Sequence, residues 1–200
     1  MNFNEVVNEV IGITARPDKA SAIATAVNAV ISLCTMKASF VRDLVETSIP
    51  ISSTEYAGTF QFNNLQVPLV HRFRKFKYVK AYGARGYLNA TTPDKVFVPG
   101  GVSQTDVYYL SGDSLTYILK NLVPSLEIGY YQYPPILDVN TNNTHWMLEV
   151  MPYTIIDLAA ARIFRNIGDE SSARTHQNDG EESFKANRRD HEDMVIPVAR

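Results

Sequence analysis

The sequence predicts an α+β protein: a mainly α-helical bundle framework, an inserted small antiparallel β domain and an extended C-terminal tail. Three observations carry that expectation. Apolar residues recur at spacings of three and four near both ends of the 200-residue chain. Between about Ile49 and Gln132 they change to short apolar or aromatic runs separated by turn residues. A strongly polar helical stretch is then followed by a short apolar run, Met194 to Val198. The expected divisions are 1–48 and 136–191 for the framework helices, 49–135 for the β-rich insertion and 192–200 for the tail.

The first helix lies in FNEVVNEVIGI, where Phe3, Val6, Val7, Val10 and Ile11 share one face. TARPD breaks it, because Pro17 disfavours helix at the residue before it and suits the first turn of the next. A second helix runs from about Pro17 to Lys37 on a stripe of Ile23, Val27, Val30, Ile31 and Cys34. The alanines between them favour helix and allow close approach, so cover on more than one side is expected.

In the insertion, VYYLSGDSLTYIL reads as two strands joined by a tight turn at Gly112–Asp113, where positive φ is needed. SLEIGYYQY reads as another strand, stopped by Pro134–Pro135. HRFRKFKYVK, residues 71–80, is expected to begin as loop or short helix and continue as strand, and VPGGVS, 98–103, is expected to be a turn.

Helix resumes near residue 143 with Thr144 as its cap. Pro152 inside a helix would cost roughly 3 kcal/mol, so a restart with Pro152 in the first turn is expected. Ile155, Ile156, Ala159, Ile163, Phe164 and Ile167 form the stripe of this helix, with Trp146 just before it and Gly168 at its end. Asp169 caps a last helix, about 170–191, which offers only Ala173, Phe184 and Ala186 for apolar contact. So polar a helix is expected to be solvated or docked on a neighbouring subunit.

A net charge of −2 argues against tight duplex binding, which draws on clustered positive charge. The single cysteine, Cys34, leaves no intrachain disulfide and no cysteine metal cluster, and its apolar helical setting predicts a buried thiol. No signal peptide and no membrane span is expected. There is no phosphate-loop, dinucleotide, zinc-protease or nucleophile-elbow motif. His71, His145, His176 and His191 lack metal-ligand spacing, and neighbouring carboxylates such as Glu181–Glu182 read as solvated charge. No enzyme, cofactor or metal is expected. The basic residues Arg72, Arg74, Lys75 and Lys77, interleaved with Phe73 and Phe76, read either as a DNA or partner contact or as a strand with aromatics inward and charges outward.

The order of these parts resembles the head-to-tail connector proteins of tailed bacteriophages, also called adaptor, neck or tail accessory proteins. The resemblance rests on FNEVVNEVIGITARPDKASAIATAVNAV, the following FVRDLVE, the insertion ending in IGYYQYPPIL, and WMLEVMPYTIIDLAAARIFRNIGDE, and it covers nearly the whole chain. It implies a ring, usually of twelve copies, at the head–tail junction of the virion. That ring joins the portal protein to a downstream nozzle or tail tube and continues the channel through which genomic DNA passes. Trp146, Ile155, Ile156, Ala159, Ile163, Phe164 and Ile167 would then be the subunit-packing helix. Arg188, Arg189, Met194, Val195, Ile196, Pro197 and Val198 would dock on the portal. The alternatives are a tail-completion ring lower in the tail and a DNA-contacting packaging accessory.

Overall fold

The computed structural model describes residues 1–61, 72–96, 105–112, 114–138, 140 and 144–192. The fold is mixed α+β with two sheets. It has two compact units, one made of Met1–Asp43 with the chain from Tyr133 onward, the other of Leu44–Gln132.

In the first unit α1, Phe3–Thr14, starts from a reciprocal cap: the Asn2 side chain accepts from Glu5 N, and Glu5 accepts from Asn2 N. Pro17–Lys19 form a single 3-10 turn, after which α2 runs Ala20–Lys37. Pro17–Lys37 is long and apolar enough to cross a membrane by length and composition, a test that the buried core helix of a folded unit also passes. Small uncharged residues between the aliphatic ones raise its hydropathy. In the fold, Ile23, Val27, Val30, Ile31 and Cys34 are buried in the core of this unit.

α4, Trp146–Val150, begins later than expected, and its cap is His145, whose Nδ1 accepts from Met147 N at 3.3 Å; Thr144 is exposed. Pro152 opens α5, Pro152–Asn166, where a missing N–H costs no helical hydrogen bond. α5 is the central helix, packed against α1, α2, α4 and α6. Its run Ala159–Ala160–Ala161 is fully buried, which lets neighbouring helices approach on several sides. Gly168, at φ +84°, turns the chain into α6, Glu170–His191.

α6 corrects the expectation of a helix without cover in its own chain. It lies along α5, with Ala173, Gly180 and Phe184 buried, whereas Ala186 is exposed. The reason is size rather than hydrophobicity. A Cβ at Gly180 would stand 2.7 Å from Leu158 Cγ, so the absence of a side chain there allows the helices to touch. Polar contacts then join the seam: Thr154 Oγ1 and Ser183 Oγ lie 2.7 Å apart, and His176 Nδ1 and Asp157 Oδ1 2.9 Å apart.

In the second unit β1, Leu44–Pro50, begins ahead of Ile49, where the apolar alternation first shows. β1 pairs antiparallel with β7, Ser125–Tyr133, from Leu44↔Tyr131 to Pro50↔Ser125. β3, Arg72–Ala81, is strand throughout its length and completes the sheet in the order β1-β7-β3. The second sheet has the order β2-β6-β5-β4, with β2 at Ala57–Gln61, β4 at Asn89–Ala90, β5 at Val107–Ser111 and β6 at Ser114–Ile118. A four-residue helix, α3, Pro93–Val96, follows β4. β5 and β6 form the expected hairpin, with Ser111 opposite Ser114 and Gly112 at φ +55°. β4 runs parallel to β5, so the unit is not wholly antiparallel.

Period-two alternation places Leu126, Ile128 and Tyr130 of β7 in one core with Val79, Leu115 and Leu119. The other face of the three-stranded sheet is polar. Tyr78 lies over Gly129, where a Cβ would meet its ring at 2.5 Å, and donates to Glu46 Oε1 at 2.7 Å. Lys80 pairs with Glu127 at 2.9 Å.

Candidate interaction surfaces

Of the residues expected to pack subunits, Ile155, Ile156, Ala159 and Ile163 are buried in the core of their own chain. Phe164 is half-buried and stacked on His176, with 9° between the rings. Ile167 caps the C-terminal end of α5 and is 37% exposed, outside the stripe that its spacing suggested, because the helix ends at Asn166. Trp146 is half-buried, and its indole N–H donates to Asp43 Oδ1 at 2.6 Å.

That indole belongs to an aromatic cluster. Phe40 meets Trp146 edge-on at 5.0 Å and Phe184 at 6.3 Å, the Arg42 guanidinium stands 5.9 Å from the centre of the Trp146 ring, and His191 meets Trp146 edge-on at 6.3 Å. His145 is buried beside it, and desolvation pushes its imidazole down to about 4. The ring is therefore neutral near neutral pH, and its Nδ1 lone pair serves as the helix cap. Asp43, a buried carboxyl group beside this aromatic cluster, escaped sequence reasoning. It stands in the quoted FVRDL, but its partner is 103 residues away in the chain.

The C-terminal end of α6 enters this neighbourhood as well. Glu192 leaves the helix in extended conformation and forms an antiparallel bridge with Phe40. Arg188 is held by Glu192 through a bidentate pair, Nε–Oε2 2.7 Å and NH2–Oε1 2.8 Å. It is thus engaged within the chain, while Arg189 is exposed. Met194 to Val198 lie outside the described residues.

In the basic strand β3, Phe73 and Phe76 turn inward and meet each other at 4.7 Å, Tyr130 at 5.8 Å and Tyr108 at 5.9 Å. Arg74 and Lys75 both lie over the Tyr131 ring, at 5.4 and 5.3 Å. Lys75 is exposed, whereas Arg74 and Lys77 are half-buried. The side chain of Arg72 and all of His71 lie outside the described residues, as does the 98–103 turn. With both aromatics partly buried against the core of this unit, the stretch presents cations more openly than the stacking faces that single-stranded nucleic acid uses.

Two depressions stand out among the described residues. One, of about 320 Å³, lies in the β unit beside Tyr82, Tyr87, Asp106 and Asn121. The other, of about 220 Å³, lies in the helical unit between α2, α5 and α6. Cys34 borders the second, buried as expected, with its thiol pushed up to about 12 by desolvation and so unreactive at neutral pH. Among the described residues no three histidines, cysteines or carboxylates gather as a metal site. The sequence matches no protein-family model and no curated protein.

Proposed function

We propose that the chain is a structural virion subunit of a ring that joins the portal at the capsid vertex to the tail and continues the DNA channel. One observation carries the reading. The two ends of the chain form a single helical unit, interrupted by a compact two-sheet unit from Leu44 to Gln132. This is the layout that the resemblance to head-to-tail connectors implies. In this reading the helical unit is a bundle framework that builds the wall, with α5 as its spine. A central helix that packs on α1, α2, α4 and α6 supports that role.

The same reading gives portal docking to the last turn of α6 and an extended tail beyond it. The extended backbone of Glu192, bridged to Phe40, supports an exit of the tail beside the Phe40–Trp146 cluster. Arg188 then acts by holding Glu192, and Arg189 and Met194 to Val198 make the contacts. The ring belongs to the head–tail junction, is assembled in the host cytoplasm, and needs no cofactor. The polar outer face of α6 and a net charge of −2 suit a wall past which DNA slides, since a strongly basic lining would retain it through counterion release.

Light scattering during gel filtration tests the proposal on the chain alone, with the portal protein of the same phage, and with a version ending at Asp190. Stoichiometric addition to the portal, lost on truncation, is the expected result. Association with a tail-tube component but not with the portal moves the ring further down the tail. Association with neither removes the proposal.

A further inference from the structure

The pocket between α2, α5 and α6 is lined by three cations, Lys37, Arg162 and Arg165, against one carboxylate, Glu181. Glu181 already accepts from Gln177 at 2.6 Å. Among the described residues the three cations enter no ion pair or hydrogen bond. The floor is apolar, with Leu33, Leu158 and Phe184, and Met36 stands exposed one turn from Leu33. Cations around an apolar floor fit a helix face that carries an acidic side chain beside an apolar one.

Such a face exists on the same unit. α1 contains Glu5 and Glu9 and no lysine or arginine. Its outer side is formed by Glu5, Asn8, Glu9, Gly12 and Ile13, all exposed, and Gly12 has open space around it, so another backbone can approach. Glu9 has no partner among the described residues. No residue of α1 lines the pocket, so one copy cannot satisfy the other's complement with its own α1 in this fold.

We propose that the pocket receives the acidic outer face of α1 from a second copy of this chain, with Glu9 directed to Arg162 and Arg165 and Ile13 set against the apolar floor. This rests on the ring reading and names the contact that builds the ring. In the ring reading the two patches are joined head-to-tail. Such a contact closes into a ring where the rotation between copies allows and otherwise runs on as a filament, whereas a reciprocal twofold exchange of both patches stops at a dimer. Opposite charge at such an edge also sets the direction and register of assembly.

The test compares the wild-type chain, Arg162→Glu with Arg165→Glu, Glu9→Lys, and the triple variant that carries all three changes. Each is first shown to keep the wild-type circular-dichroism spectrum and melting temperature. Sedimentation over a range of concentrations, alone and on the portal, then reads assembly. Each reversal is expected to weaken association about tenfold or more. The triple variant is expected to recover it, because attraction returns with the signs exchanged. Mixing the two reversed chains should likewise restore assembly, with the two chains alternating, because the unmodified α1 of the arginine-reversed chain meets the intact pocket of the Glu9→Lys chain and the reversed α1 meets the reversed pocket. As a second readout, Glu9→Cys and Arg165→Cys chains should crosslink on oxidation, with Cys34 buried and silent.

Wild-type rings that all the reversals leave intact overturn this contact and leave the ring reading standing. The same holds if the triple variant fails to recover, or if the arginine reversals abolish only the binding of inorganic phosphate. A wild-type chain that stays monomeric both alone and with the portal overturns the contact and the ring reading together.

Discussion

Replacing Gly180 with alanine tests how so polar a helix as α6 is held. Inside a helix, alanine is favoured over glycine by about 0.8–1.0 kcal/mol. At Gly180 the new Cβ would meet Leu158 Cγ at 2.7 Å, Cδ2 at 2.8 Å and the Leu158 backbone nitrogen at 3.2 Å. Side-chain atoms can rotate away, but the backbone nitrogen cannot, so α6 must shift outward from α5. Overpacking of this kind costs about 1–3 kcal/mol, and the net effect is a loss of about 1 kcal/mol. Gly12 on α1 is the control, because nothing lies within 4 Å of a Cβ there. Gly12→Ala should stabilise by about 0.5–1 kcal/mol. In a chain of this size each kcal/mol moves the midpoint by about 2–4 °C. Thermal melts followed by circular dichroism at 222 nm should therefore move in opposite directions. Adding Leu158→Ala should restore part of the Gly180→Ala loss. Equal stabilisation by both glycine replacements would refute the close contact and return α6 to the solvated helix that its composition suggests.

Four further outcomes are expected. Folded His145 stays neutral down to about pH 4, while the unfolded chain takes up a proton near its ordinary value of 6.5. Stability should then be level above pH 6.5 and fall by about 3 kcal/mol on the way down to pH 4; urea titrations should show this slope shrink in His145→Asn, which keeps a capping acceptor. Ile163→Ala should cost about 2–5 kcal/mol and Ile167→Ala less than about 1, since only the first is buried; equal shifts in denaturation midpoint would refute the placement. Trp146→Phe removes the indole donor from buried Asp43 and should cost about 1.5–3 kcal/mol in chemical denaturation. The hydroxyl of Tyr130 is buried with no hydrogen-bond partner among the described residues, so Tyr130→Phe should leave the melting point unchanged or raise it.

Local chemistry explains what was legible before any coordinates. Helical spacing marks α1, α2 and α5, because apolar residues three and four positions apart in each meet the core. Pro152 announces a restart, since a residue without N–H fits a first turn and no later one. The hairpin at Gly112 is readable because few residues accept positive φ. Errors fall where a weak local signal meets a strong distant one. Thr144 is a good capping residue, yet the burial of its neighbour gives the role to His145. RFRKFK, residues 72–77, has no clean alternation, but its place in the strand order β1-β7-β3 makes it strand from Arg72 onward.

By itself, then, the sequence determined the helix–β–helix order, the breaks at Pro17, Gly112, Pro152 and Gly168, and the apolar stripes. Each depends on residues within a few positions of one another. Tertiary structure alone decided that α6 lies on α5, that Asp43 accepts from Trp146, and that three cations without a partner among the described residues share a pocket with an apolar floor. These depend on space and partners between residues far apart in the chain. Glycine at 180 reads as a weak point in a helix until the leucine at 158 is seen to stand against it.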